Sequence, residues 1–190
     1  MHLARTLAIL AIVVPPVAGG TLASANSTTI SNPTIIASFD CTTLVPTIIG
    51  TAGSDVLMGT DGDDVIFGLD GDDTMWGHGG NDVICAGAGD DLIAGEAGRD
   101  FLNGGRGRDT VGYGNSPAGV SVNLVERFGK AADGHDRLLA VENVVGSQFD
   151  DRIVGNDRPN ALTGLGGVDT IAGLGGVDSC TGEFEFTCEI

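Results

Sequence analysis

From Gly50 to Gly112 the chain alternates two kinds of segment on a fixed count. Six residues rich in glycine and aspartate are followed by three with a large apolar residue at their centre. The central residues are Leu57, Ile66, Met75, Ile84, Ile93, Leu102 and Val111, each nine after the last. The residues before them, Val56, Val65, Thr74, Val83, Leu92, Phe101 and Thr110, are β-prone or apolar. Such a triplet reads as a short strand with its central side chain inward and the flanking ones outward. A sustained nine-residue period predicts a β-solenoid whose successive strands lie on opposite sheets, so that one coil spans 18 residues.

The six-residue segments begin at Gly50, Gly59, Gly68, Gly77, Ala86, Gly95 and Gly104. Glycine is fourth in all seven. Aspartate is sixth in all seven: Asp55, Asp64, Asp73, Asp82, Asp91, Asp100 and Asp109. Turns 18 residues apart stack, which pairs Asp55 with Asp73, Asp64 with Asp82, Asp73 with Asp91, Asp82 with Asp100, and Asp91 with Asp109. Two carboxylates aimed at one point repel without a cation, and one buried side chain per nine ordered residues does not offset the entropy of ordering them. Calcium, which takes six to eight carboxylate and carbonyl oxygens, suits glycine turns that let carbonyls approach. The pairing predicts about five inter-coil ions in 50–112, with ligand geometry of the calcium type. Asp63, Asp72 and Asp90, at the fifth position, are expected in an outer shell, and Asp61 and Asp70 in solvent.

The period lapses over 113–145, since 42 residues separate Asp109 from Asp151. There Val120, Val122 and Leu124 alternate with polar residues and predict one half-buried strand. Phe128–Asp136 reads as polar and turn-like. Leu138, Leu139, Val141, Val144 and Val145 fit a second strand or a helical turn. The period returns in units beginning at Gly146, Gly155, Gly164 and Gly173, with Asp151, Asn160, Asp169 and Asp178 sixth. The first two units are degenerate, lacking the fourth glycine. Asn160 also lacks the charge expected of a ligand. The divisions expected are a leader over 1–25, a lead-in and N-terminal cap over 26–49, repeat blocks over 50–112 and 146–181 with a spacer over 113–145, and a C-terminal cap over 182–190.

Charge and termini narrow the setting. Acidic residues outnumber Lys and Arg by 26 to 9, for a net charge of −17, which disfavours nucleic acid and favours cations. Arg5, the apolar stretch Leu7–Val14 and Ala23-Ser24-Ala25 form a cleavable export signal, too short to span a membrane. The expected product is secreted, extracellular, monomeric and without membrane insertion. Four cysteines in an exported chain predict two disulfides. Cys85 faces outward beside Phe67, and folding segment 40–49 back over Phe67 brings Cys41 to it. Cys180 and Cys188 flank Phe184 and Phe186 in a local end cap.

The run GTDGDDVIFGLDGDDTMWGHGGNDVICAGAGDDLIAG resembles the hemolysin-type (RTX) calcium-binding repeat, GGxGxDxUx with U a large apolar residue. The resemblance implies an all-β, right-handed parallel β-roll solenoid with an irregular β insert between two repeat blocks. It also implies calcium held between stacked turns by sixth-position aspartates and main-chain carbonyls. The matching residues are the seven aspartates of the first block and Asp151, Asp169 and Asp178. Neither HExxH nor GxSxG occurs, so the expected function is a secreted calcium-binding repeat protein rather than an enzyme. A calcium-stabilised adhesion or cell-envelope module is the alternative, with a polysaccharide-acting enzyme behind it. Outward Met58, Phe67 and Trp76 raise a cell-surface or glycan partner, although neighbouring segments, the spacer among them, are long enough to cover these residues. His78 and His135 read as isolated and solvated.

Overall fold

The computed structural model describes residues 41–132 and 134–182. The export signal and the Phe184/Phe186 cap lie outside them. The first block holds β1 (Ile48–Ile49), β2 (Val56–Met58), β3 (Val65–Asp70), β4 (Thr74–Trp76), β5 (Val83–Ala88), β6 (Leu92–Ala94), β7 (Phe101–Arg106) and β8 (Thr110–Gly112). Next come β9 (Ser121–Asn123), β10 (Phe128–Lys130), β11 (His135–Leu139) and β12 (Asn143–Val145). The last are β13 (Arg152–Val154), β14 (Ala161–Thr163), β15 (Thr170–Ala172) and β16 (Ser179–Thr181). No helix among the described residues is long and apolar enough to cross a membrane.

The strands form two sheets, as successive placement on opposite faces requires. The nine-stranded sheet runs β1-β3-β5-β7-β11-β10-β9-β13-β15, and the seven-stranded sheet runs β16-β14-β12-β8-β6-β4-β2. Within the repeat blocks all pairs are parallel and 18 residues out of step, as in Ile66 with Ile84 and Met75 with Ile93. The central residues Ile66, Met75, Ile84, Ile93, Leu102, Val111, Ile153, Leu162 and Ile171 are fully buried between the sheets. Strands β3, β5 and β7 run on to six residues, because Leu69 pairs with Gly87 and Gly87 with Gly105 beyond the triplet.

Why glycine recurs at the fourth position depends on what lies beneath it. Gly71 and Gly80 have φ of +113° and +117°, and a Cβ there would meet the backbone of Gly53 and Gly62 one coil below. Gly53 and Gly62 belong to the first coil, where a Cβ would meet almost nothing. Phe149 and Arg158 replace the fourth glycine in the first two units of the second block. The glycines stacked on them, Gly167 and Gly176, are again left-handed and close-packed. The degenerate units are therefore the opening coil of their block rather than decayed repeats.

The insert corrects three expectations. Val120, Val122 and Leu124 do flank and fill a short strand, β9, and are buried. The stretch expected to be turn-like over Phe128–Asp136 instead builds a hairpin, with β10 antiparallel to both β9 and β11. The ambiguous stretch after it is two strands, β11 and β12, one in each sheet. Strands β9, β10 and β11 do not lie over a sheet, because they join the nine-stranded sheet side by side, while Tyr113–Pro117 pass beside Trp76 on the other sheet. The 18-residue count survives on one sheet only: Leu138 pairs with Leu102, 36 residues away, whereas Val144 pairs with Val111, 33 away.

A second cluster lies outside the nine-stranded sheet. Val83, Cys85 and Phe101 are buried there beneath Cys41 and Leu44, with Val65, Phe67 and Leu139 alongside. A Cys41–Cys85 disulfide fastens the segment down, as the lead-in's apolar residues predict. Cys180 is also disulfide-bonded; Cys188, its expected partner, lies outside the described residues.

Candidate metal centre

Each sixth-position aspartate closes a turn just before a strand, and the 18-residue stacking sets these residues one above another. One carboxylate oxygen, Oδ1, accepts the backbone N–H of the aspartate one coil earlier. Asp55 N donates to Asp73, Asp64 to Asp82, Asp73 to Asp91, Asp82 to Asp100 and Asp91 to Asp109, at 2.8–3.0 Å. In the second block Asp151 N donates to Asp169 and Asn160 N to Asp178, at 3.0 and 2.9 Å. All five pairings expected in 50–112 are thus brought together. Asp73, Asp82, Asp91, Asp100, Asp109, Asp151, Asp169 and Asp178 are buried, as is Asp64, while Asp55 at the edge is half-buried.

The second oxygen divides the aspartates into two groups. At the opening coil of each block the second residue of the turn is Thr, Ser or Asn, and its N–H closes back on the sixth-position side chain. Thr51 N and Oγ1 donate to Asp55 Oδ2 at 2.6 and 2.9 Å, and Thr60 does the same to Asp64 at 2.7 and 2.8 Å. Ser147 N donates to Asp151 Oδ2 at 2.6 Å. In later coils the second residue is left-handed: Leu69, His78, Gly87, Glu96, Gly105, Leu165 and Leu174 have φ between +68° and +119°. The Oδ2 atoms of Asp73, Asp82, Asp91, Asp109 and Asp178 in these turns are buried and accept no hydrogen bond. A buried carboxylate oxygen left so is costly, and it is the atom a cation would take.

Carbonyl oxygens converge on the same places. A Cβ on Gly68 would meet both Asp73 Oδ2 and the carbonyl of Ala86, one coil on, and Gly59 sits likewise against Asp64 Oδ2 and Gly77 O. The donor set is carboxylate plus carbonyl, all hard oxygen, and among the described residues no three His, Cys, Asp or Glu side chains gather at one point. That chemistry fits calcium rather than a thiolate- or imidazole-loving ion.

The field at these carboxylates is negative. Burial pushes Asp82 up to about 8, with the charges of Asp100, Asp64 and Asp63 adding to it and the Asp64 N–H opposing. Asp109 is raised to about 7 by burial first, then by Asp91, Glu142 and Asp90. Asp73 and Asp91 are raised for the same reasons. A divalent cation reverses this balance by favouring the ionised form.

Two residues that repeat counting passed over continue the rows through the insert. Asp100 N donates to Asp136 Oδ1 at 3.1 Å, and Asp109 N to Glu142 Oε2 at 3.1 Å. Both carry a legible signal, since Asp136-Arg137-Leu138 and Glu142-Asn143-Val144 repeat the pattern acid, any residue, apolar. At Asp136 a protein group takes the other oxygen: the buried Tyr113 hydroxyl donates to Oδ2 at 2.9 Å. Burial and Asp100 raise Asp136 to about 7, and burial and Asp136 hold the Tyr113 phenol well above its usual range.

Other expected residues fall as follows. Asp63, Asp72 and Asp90 form a second ladder on the turn surface, accepting the backbone N–H of Asn81, Asp90 and Arg108 at 2.7–2.9 Å. Asp61 and Asp70 are exposed. Asn160 holds its place in the row, but its side-chain amide donates to the Glu142 carbonyl at 2.7 Å, so an N–H stands where a cation would otherwise satisfy that oxygen. His78 is not isolated: its Nδ1 lies 2.8 Å from Glu96 Oε2, and Asn115 Nδ2 donates to Glu96 Oε1 at 2.7 Å.

Comparison with known proteins agrees with the geometry. The family described as RTX calcium-binding nonapeptide repeat (4 copies) matches residues 49–84, 86–111 and 145–180, just over half of the chain, and passes over the insert. No curated protein matches the chain. With its aspartates stacked one coil apart and its apolar residues buried between two parallel sheets, the chain belongs to the RTX calcium-binding nonapeptide repeat family.

Proposed function

We propose that this calcium-binding repeat protein is exported and folds on meeting extracellular calcium. The ligands are Asp55, Asp64, Asp73, Asp82, Asp91, Asp100 and Asp109 in the first block, and Asp151, Asp169 and Asp178 in the second. About five ions lie in 50–112, one for each stacked pair of aspartates. The observation that carries this reading is the buried, unsatisfied Oδ2 on Asp73, Asp82, Asp91 and Asp109. Export is supported by the leader pattern and by the Cys41–Cys85 bridge, which belongs to an oxidising compartment. Calcium titration followed by far-UV circular dichroism tests it. The β signal rises cooperatively, with a midpoint on the order of 10⁻⁴–10⁻³ M, and magnesium substitutes poorly. Identical spectra in excess chelator and in calcium defeat the reading.

A second reading, an adhesion module, is favoured by one cleft outside the seven-stranded sheet. It encloses about 460 Å³ between Trp76, Leu92, Ala94 and Gly112 on the sheet and Tyr113–Pro117 along one wall, with Glu96 at its rim held by His78 and Asn115. An indole face beside fixed polar groups suits a neutral sugar ring. Glycan binding in calcium that disappears in Trp76→Ala supports this reading, and no binding by either protein removes it.

A further inference from the structure

Resting on the calcium reading above, we propose an additional calcium site outside the repeat motif, between Asp109 and Glu142, which carries one row of ions across the insert into the second block. The row that precedes the strands of the seven-stranded sheet runs Asp55, Asp73, Asp91 and Asp109, and its next member is Glu142. Strand β12 pairs with β8 in the register Asn143 with Thr110, so Glu142 stands over Asp109 as Asp109 stands over Asp91. The hydrogen bond between them has the same form as the others: Asp109 N donates to Glu142 Oε2 at 3.1 Å.

Two observations point to a ligand there. Asp109 is fully buried, its Oδ1 accepts Asp91 N, and its Oδ2 has no partner. The Ala140 carbonyl takes the place that the first-position carbonyl of the next coil takes elsewhere: a Cβ on Gly104 would meet Ala140 O and Asp109 Oδ2 together, as one on Gly68 would meet Ala86 O and Asp73 Oδ2. Glu142 adds the second carboxylate, with Oε2 on Asp109 N and Oε1 3.6 Å from the guanidinium of Arg158, whose largely exposed side chain can yield to an ion. Asp109 Oδ2 and the Ala140 carbonyl thus face one buried place, with the Glu142 carboxylate on the adjoining Asp109 N–H, and these are hard oxygens of the kind calcium takes.

The neighbouring positions show why the inference stops at one site. On the other edge the equivalent acid is Asp136, and there Tyr113 already donates to Oδ2. One coil beyond Glu142 the row meets Asn160, whose amide satisfies the Glu142 carbonyl. At the Asp109–Glu142 step an unsatisfied buried oxygen, Asp109 Oδ2, and the Ala140 carbonyl face the same place. A cation there makes the two blocks one cooperative unit.

The test measures bound calcium per chain by equilibrium dialysis of the whole protein, with hydrogen exchange read separately on each block. Glu142→Gln is expected to bind one ion fewer and to split a single calcium transition into two, with the second block folding at higher calcium. Arg158→Ala removes only the ion pair and is expected to keep the wild-type count; if it reproduces Glu142→Gln, the proposal is overturned. Asp73→Asn separates the two levels of the argument. Loss of ions in Asp73→Asn with none in Glu142→Gln overturns this site alone, whereas no loss in either overturns the calcium assignment of the rows. Should Glu142→Gln fail to fold, crystals of the wild-type protein grown in calcium decide. Density for an ion between Asp109, Ala140 O and Glu142 supports the site, and filled regular sites with none at that point overturn it.

Discussion

Substituting alanine for two glycines of one stacked column separates steric need from mere repetition. Gly80 sits directly over Gly62. At Gly80 a Cβ would lie 2.5 Å from Gly62 C and 2.7 Å from Asp63 N, on a backbone with φ of +117°. At Gly62 the nearest atom is Thr60 Oγ1, at 3.8 Å, and the backbone is outside the left-handed region. Gly80→Ala therefore adds left-handed strain of about 1–3 kcal/mol, before any shift of the coil below. Gly62→Ala stabilises by about 0.4–1 kcal/mol through the unfolded chain. The difference is about 1.5–4 kcal/mol. If folding is linked to about five ions, that difference multiplies the calcium midpoint of Gly80→Ala by roughly two to four relative to Gly62→Ala. Parallel calcium titrations by circular dichroism read this ratio. Equal midpoints, or a higher one for Gly62→Ala, would show that the coils do not stack as described.

Three further predictions concern the carboxylates and the bridge. Asp82→Ala should raise the calcium midpoint more than Asp169→Ala, because Asp82 couples to both Asp64 and Asp100; a larger shift for Asp169→Ala contradicts this. In chelator, β structure should increase as pH falls from 8 to 5. Asp82 and Asp109 have folded values of about 8 and 7 against an ordinary 3.8, so the folded chain binds more protons. The stability this contributes is full below 3.8 and is lost as pH rises through 7 to 8; a metal-free signal that is flat or grows with pH refutes it. Reducing Cys41–Cys85, which closes a 44-residue separation, removes up to about 4 kcal/mol in the chain-entropy account and uncovers Phe67 and Phe101. The calcium midpoint should rise in reductant, and an unchanged one shows that the bridge is incidental.

The parts of this fold that repeat were legible because one period fixes three things together. It sets which side chain is buried, which acid meets which, and which strands pair, as Ile66 and Ile84 or Asp64 and Asp82 illustrate. Even the Cys41–Cys85 bridge followed from asking what covers Phe67. The insert was opaque for a physical reason. Strand β10 consists of Phe128, Gly129 and Lys130, and its burial rests on Tyr113 packing against Gly129 rather than on apolar alternation. Counting from Asp109 to Asp151 also obscured the register, since Asp136 keeps the 36-residue step while Glu142 comes three residues early. The split among the aspartates was hidden for another reason: all sit at the same motif position, and the difference lies four residues earlier, at the second residue of each turn.

That second residue goes with whether a turn leaves its buried oxygen open, and what this means for ion binding can be tested by conversion. Where it is Thr51 or Thr60, its amide and hydroxyl bind Asp55 or Asp64 and leave Oδ2 satisfied by protein. Where it is left-handed, the amide turns away. Leu174 has φ of +75° and is 42% exposed, so replacing it disturbs little packing. Its aspartate, Asp178, has an unsatisfied buried Oδ2 while Oδ1 accepts Asn160 N. Leu174→Thr gives the turn the same second residue as the opening coil. Threonine is β-branched and disfavours positive φ, which favours the closed arrangement in which its N–H and hydroxyl meet Asp178 Oδ2. Two hydrogen bonds to a charged group are worth about 1.5–3 kcal/mol each, offset in part by the rearranged turn. The variant should melt higher than wild type in chelator, yet bind one calcium fewer at saturation. Unchanged metal-free stability together with an unchanged ion count would show that the open oxygens arise from something other than the second residue of the turn.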